Sequence, residues 1–189
     1  MRNSFVERET LETKVKVKLK LDGSGIFDIK TPVPFLNHML KTLCLHSMMD
    51  LVVEASGDLA HHIIEDTALV IGKAIGKALG DRKNLKRFGY ARVPMDESLA
   101  EAAVDLIKRP YAVTRLKISC ETIEGFDSKM VAHFINSLAY SIPATIHVNV
   151  IYGYNDHHKT EAAFKALALA FKEAWTITGT LASVKGAYE

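Results

Sequence analysis

Two short stretches of the chain carry the same polar residues in the same order. "GDLAHHIIED" (57–66) and "GYNDHHKTEA" (153–162) each run from a glycine to a His-His pair four positions on, then to a glutamate. On a helix, residues i and i+4 project from one face. His61 with Glu65, and His157 with Glu161, can therefore each chelate one ion. The neighbouring residue points about 100° away at 3.6 residues per turn, so His62 and His158 are free to serve a second ion. His38 and His133, in the segments that precede these helices, offer one further ligand each. Six imidazoles and two carboxylates, with no thiolate, suit Mn²⁺, Fe²⁺, Co²⁺ or Zn²⁺ and fit octahedral Mn²⁺ better than a closed structural zinc site.

The elements that must position these residues repeat with them. His61, His62, Glu65 and Gly57 recur 96 residues later as His157, His158, Glu161 and Gly153, and His38 recurs 95 later as His133. A duplicated half-domain explains this register. In the first half, "KVKVKLKL" (14–21) alternates as a half-buried strand with its lysines in solvent, and 26–30 is the returning strand. A helix over 32–49, a strand over 50–56 and a helix over 61–79 ended by Gly80 follow. In the second half, 92–107 holds an extended segment with an ambiguous Ala/Glu run. A strand over 111–119, a helix over 128–142, a strand over 144–153 and a helix over 157–175 complete it. The order predicts an α+β fold of two β-β-α-β-α halves, 1–86 and 87–189, forming one compact domain with helices on one face of each half-sheet.

The remaining polar residues are individually less specific. His46 lies two helical turns after His38 and either lines the same pocket or packs along the helix. His147 sits in a strand and reads as structural. Asp66 suits the helix dipole in the first turn. Asp96 and Glu97 in "PMDES" are either partners of ligand histidines or plain strand-end charges.

Composition bounds the function. With 189 residues and a net charge of +2, nothing calls for nucleic acid or an anionic membrane. Cys44 and Cys120 stand far apart, outside any C-x-x-C pattern, which argues for a reducing compartment. The opening segment has no apolar stretch of signal-peptide length, and no apolar run approaches the ~18 residues of a membrane helix. The expectation is a cytoplasmic globular protein.

"FLNHML", "HHIIED", "RFG" with "PMDE", "VDL" with "RP", "AHF", "TIHV", "HH" with "EAAFKA", and the final "S.KG" together resemble the imidazoleglycerol-phosphate dehydratase family, in order along nearly the whole chain. The form without an added phosphatase domain is the one it resembles. The resemblance implies a fold like domain 2 of ribosomal protein S5. It also implies two Mn²⁺ ions per active site, and sites between subunits of a homo-oligomer whose trimers assemble to a 24-mer. Metal ligands carry over to His38, His61, His62, Glu65, His133, His157, His158 and Glu161. Glu12 matches a glutamate near the substrate; on its pocket-lining alternative, His46 joins Glu12 and His38 in the substrate-binding set. Arg87, Arg109, Lys165, Ser183 and Lys185 match phosphate-binding positions, the last two in a C-terminal tail; as a set they offer charge-assisted bonds to a phosphate. The approach to the first His-His pair is shorter than usual and lacks an Asp, Asn37 stands where Asp is common, Ile107-Lys108 replaces a Ser-Gly pair, and Ala132 stands where Glu is usual.

The implied reaction removes water from imidazoleglycerol phosphate to give imidazoleacetol phosphate, in histidine biosynthesis. The proton lost has no neighbouring carbonyl. Two cations, one at each ring nitrogen, would favour imidazolate, which expels the hydroxyl to leave a diazafulvene. A carboxylate then takes the neighbouring proton, with Glu12 favoured as base and Glu161 as competitor. A non-catalytic metal-glued assembly protein would need no phosphate-binding set, and an RNA-binding module would need more positive charge.

Overall fold

The computed structural model describes residues 2–179. Its first half runs β1 (Asn3–Glu9), β2 (Thr13–Lys20), β3 (Phe27–Lys30), α1 (Pro34–Ser47), β4 (Asp50–Gly57) and α2 (Ala60–Leu79). The second half repeats this as β5 (Phe88–Met95), β6 (Ser98–Asp105), β7 (Tyr111–Arg115), α3 (Lys129–Ser141), β10 (Thr145–Tyr152) and α4 (Asp156–Ala174). A small hairpin, β8 (Thr122–Ile123) and β9 (Phe126–Asp127), interrupts it before α3. The two four-stranded sheets have the same topology, β1-β2-β4-β3 and β5-β6-β10-β7. In each, the last strand pairs antiparallel with the second and parallel with the third.

The α+β class and the β-β-α-β-α order hold in both halves, and each half has one more strand at its start than the periodicity indicated. β1 is charge-rich with only Val6 buried, so its alternation is masked. The segment read as one extended piece over 92–107 is two strands, β5 and β6, folded back at Asp96-Glu97. Asp96 takes φ 47 at that turn. Its alanines mislead because Ala100 and Ala102 are buried where helix α4 packs closely on the sheet, a place that requires small side chains and hides strand propensity. The segment read as a strand over 111–119 ends early, at Arg115.

Strand β2 follows its lysine alternation: Val15, Val17 and Leu19 are buried, and opposite them Lys14 and Lys16 pair across to Glu9 and Glu7 on β1. Pro34 opens α1, whose C-cap Met48 adopts the left-handed conformation. Helices lie on one face of each sheet, and the helices of the two halves pack on each other in crossed pairs, α1 with α4 and α2 with α3. One hydrophobic cluster runs through both halves from Val6 to Trp175. Asp66, read as a helix-dipole carboxylate, is instead buried; it accepts from the Thr13 hydroxyl and, at 3.0 Å, from Arg8 Nε, and so ties α2 to the β1–β2 turn.

The repeat slips at the hairpin. Thr13–Lys20 is matched by Ser98–Asp105, 85 residues on, whereas Pro34–Ser47 is matched by Lys129–Ser141, 95 on. Ten extra residues between β7 and α3 account for the change, and they include β8 and β9. Glu124 (φ 49) and Gly125 (φ 77) make the two-residue turn of this hairpin, as the primed hairpin turns require.

Strand β5 approaches α4 so closely that a Cβ on Gly89 would lie 1.9 Å from the Ala170 carbonyl oxygen. Gly89→Ala should destabilise the fold by about 1–3 kcal/mol through overpacking against backbone, read as a lowered thermal midpoint.

Candidate metal centres and active site

The crossed helix pairs decide which histidines meet. His38 on α1 joins His157 and Glu161 on α4, and His133 on α3 joins His61 and Glu65 on α2; within each trio one ligand atom per residue lies within 4.8 Å of the others. In the first trio, Glu161 Oε2 stands 3.3 Å from His38 Nε2 and 3.5 Å from His157 Nε2. In the second, Glu65 Oε2 stands 3.6 Å from both His61 Nε2 and His133 Nε2. Each trio therefore takes two residues from one half and one from the other.

The donor set suits a divalent cation. His133 Nε2 is buried and, among the described residues, has no hydrogen-bond partner, yet it faces a carboxylate 3.6 Å away, too far for a hydrogen bond. A cation between them would satisfy both groups. The first trio is electrostatically prepared as well. Burial would raise the Glu161 pKa, but Lys165, at 2.8 Å, and His38 outweigh it and hold the carboxyl below its usual range.

His62 and His158 stand outside the trios of their own helices, and each is gripped by a different carboxylate. His158 Nδ1 lies 2.7 Å from Glu97 Oε2 in the β5–β6 turn. His62 Nδ1 lies 2.8 Å from Asp58 Oδ1, in the crossing from β4 to α2. Both histidine pKa values are raised, chiefly by these bonds, and Glu97 is held down to about 2, chiefly by His158. A carboxylate on Nδ1 fixes the tautomer and presents Nε2 outward as a ligand. Of the two readings open for Glu97, partner to a ligand-type histidine is the one the geometry supports.

The paired glycines have a packing reason. A Cβ on Gly57 would meet the Glu12 carbonyl oxygen at 2.7 Å, and one on Gly153 would meet Ser98 Oγ at 2.2 Å. In both halves the strand-to-helix crossing thus presses on the turn that carries Glu12 or Glu97. Asn155 caps α4, its side chain accepting from His157 and His158 N–H, whereas α2 has no side-chain cap.

His46 lies close enough to Glu161 and Lys165 to feel both charges. Burial lowers its pKa first, with Lys165 adding to the effect and Glu161 opposing it. His147 lies exposed on the outer face of the second sheet. Glu124, unremarked in the sequence, reaches 3.6 Å from His157 Nδ1, and Phe35 meets the same ring edge-on at 5.4 Å between centroids. Asp156 anchors the segment leading to the hairpin, accepting from Ser119 and Cys120 N–H and pairing with buried Lys159. Nothing in the local sequence around Glu124 marks it as facing a histidine, because the hairpin has no counterpart in the first half.

The arginines lie elsewhere. Arg87 N–H donates to the Ala174 carbonyl at the far end of α4, about 25 Å from His157 at 1.5 Å per residue. Its guanidinium pairs with Asp105 at 2.7 and 3.0 Å. The Arg109 carbonyl accepts from Thr145 Oγ1 at the start of β10, roughly 23 Å from where that strand delivers α4, at 3.3 Å per residue. The chain brings Lys165 and His46 to the histidines but leaves Arg87 and Arg109 together at the opposite end of the second sheet. Ser183 and Lys185 fall outside the described residues. Among the described residues no helix is long and apolar enough to cross a membrane.

Fold and site define a duplicated α+β protein whose two halves jointly build a pair of histidine–carboxylate clusters. A family model described as imidazoleglycerol-phosphate dehydratase matches residues 31–171. The chain belongs to the imidazoleglycerol-phosphate dehydratase family, hydro-lyases of histidine biosynthesis. Relatives of that name include one from Methanothermobacter thermautotrophicus, 48% identical over 98% of this chain and 97% of its own. Another, from Chlorobium luteolum, is 49% identical over 98% and 94%. Among solved structures, the Staphylococcus aureus dehydratase superposes with a TM-score of 0.86 at 35% identity, covering 93% of this chain and 99% of its own. The Pyrococcus furiosus protein, solved in complex with (S)-C348, gives 0.86 at 34% identity, over 96% and 99%.

A proton on an imidazole competes with a cation for the same nitrogen. Because Asp58 and Glu97 raise the pKa values of His62 and His158, affinity for a divalent cation should fall as pH drops. The fall should begin above about 6.5, the ordinary histidine value; calorimetric Mn²⁺ titrations of chelator-treated protein across pH 5.5 to 8.5, roughly a unit or two either side of that value, would check it.

Proposed function

We propose that this chain is a metal-dependent imidazoleglycerol-phosphate dehydratase, working in the cytoplasm with two Mn²⁺ per active site in a homo-oligomer of trimers assembled to a 24-mer. The observation that carries the metal dependence is the unpartnered, buried His133 Nε2 facing Glu65 across the two halves. His61, Glu65 and His133 would hold one cation and His38, His157 and Glu161 the other. His62 and His158, turned outward from those trios, would serve as ligands to cations held by a neighbouring copy.

Cations held by these residues would supply Lewis acidity toward the substrate ring. The chain's own residues do the rest. Glu12 removes the proton next to the departing hydroxyl, and it has the exposure for this, its side chain being 61% accessible. Glu161 is a poorer base, since Lys165 and His38 hold its charge and a cation would share its oxygens. Lys165 and His46 border the same cluster and meet the substrate's polar chain. Arg87 and Arg109, with Ser183 and Lys185, bind the phosphate and orient the reacting end.

The separation of about 25 Å between Arg87 and His157 along α4 supports a site shared between copies, because a substrate with a five-membered ring, three carbons and a phosphate cannot span it. The phosphate-binding arginines and the histidines that serve one substrate then belong to different subunits.

Formation of imidazoleacetol phosphate should vanish on chelation and return with Mn²⁺; absence of turnover under every divalent cation tried would overturn the assignment. His61→Ala and His157→Ala should each reduce turnover by at least about 100-fold, no less than the top of the range for losing a group that merely supports a ligand. Each should also shift the particle to smaller species in analytical ultracentrifugation.

A further inference from the structure

The two halves hold their outward histidines by different means, and the difference falls on Glu12. Because β2 matches β6, Glu12 is the structural counterpart of Glu97: each ends the turn before its strand, directly ahead of the buried Thr13 or Ser98. The same glycine crossing presses on both turns, and His62 and His158 are likewise counterparts. Symmetry would have Glu12 bonded to His62 as Glu97 is to His158.

It is not. Glu97 is fully engaged, with Oε2 at 2.7 Å from His158 Nδ1 and Oε1 accepting from Ser98 Oγ and Asn155 N–H, each at 2.9 Å. Glu12 Oε2 stands 3.9 Å from His62 Nδ1, and among the described residues its carboxylate accepts no hydrogen bond. The place on His62 is taken by Asp58, whose Oδ1 lies 2.8 Å from Nδ1 and also accepts from Leu59 N–H at 2.7 Å. The position four before the second pair's latter histidine is Tyr154, 82% exposed, which offers no carboxylate. One half thus holds its histidine from the helix approach and the other from the strand turn.

We propose that Asp58 is the positioning residue for His62, doing in the first half what Glu97 does in the second, and that this division of labour leaves Glu12 free to act on substrate. With only Leu59 and Ala60 between Asp58 and His61, Asp58 sits in the short crossing from β4 to α2, just ahead of the extended Leu59 cap, and its side chain reaches the ring of His62 in the first turn of the helix. The role given to Glu12 rests on the dehydratase reading; the role given to Asp58 rests on geometry alone.

The test is Mn²⁺ binding to the chelator-treated full-length protein, run beside steady-state kinetics. Asp58→Ala and Glu97→Gln should each weaken Mn²⁺ binding by about 10–100-fold, the usual effect of losing a carboxylate behind a ligand histidine. Asp58→Asn, which keeps an acceptor oxygen without the charge, should fall between Asp58→Ala and the parent. Glu12→Gln should bind Mn²⁺ within about twofold of the parent while kcat drops by at least about 100-fold with KM little changed, as expected for loss of a general base. Parental Mn²⁺ affinity in both Asp58 variants, or an affinity loss in Glu12→Gln equal to that of Asp58→Ala, would overturn the proposal. A parent that binds Mn²⁺ but never dehydrates substrate would instead overturn the functional reading, and the Asp58 comparison would stand on binding alone.

Discussion

The crossed packing of helices, α1 on α4 and α2 on α3, is the constraint from which the rest of the molecule follows. Each contact brings a histidine from one half against a His-x-x-x-Glu pair from the other, so neither half owns a complete cluster. The apolar faces that make the crossing are buried almost completely: Leu40, Leu43, Ile71, Ile75, Leu138 and Leu167 expose essentially no surface. Burial of this kind is non-directional, but close packing makes it specific. The core therefore fixes the relative rotation of the helices, and with it the distance between His133 and Glu65.

Around that core the polar groups are supported in layers. Asp66 ties α2 to the turn bearing Glu12, Glu97 holds both His158 and the backbone before α4, and Asp156 with Lys159 secures the segment that leads to Glu124. Buried Arg82 donates to the carbonyls of Ile142 and Pro143, just past α3, and of Leu106, just past β6. Glu97 and Asp156 accept from backbone N–H groups close to the start of α4, where His157 and His158 begin.

Much of this was readable from the residues in order. Helices with period 3.6 and an echo at 96 residues identify the two halves and the face shared by His61 with Glu65 and by His157 with Glu161. What escaped has physical causes. β1 is an edge strand whose charges pair across to β2, so its alternation is weak. β6 is rich in alanine because α4 lies close above it, and small residues disguise a strand. The choice of partner for His38 depends on which helix of the other half it meets, a tertiary fact that no local spacing encodes. Asp58, Glu97 and Glu124 are ordinary acidic residues until folding sets each beside an imidazole. The separation of Arg87 and Arg109 from the histidines is likewise invisible in a linear chain, where all of them look like one set.

The ten residues that carry the β8–β9 hairpin have a consequence of their own. Two unfused copies of a single half, related by a two-fold axis, would build both histidine clusters identically, since an isologous contact repeats every residue on both sides. Covalent fusion removes that obligation. A segment added to one half can then alter one cluster without its mirror, and Glu124 beside His157, with no equivalent beside His61, is a difference that a symmetric pair could never acquire.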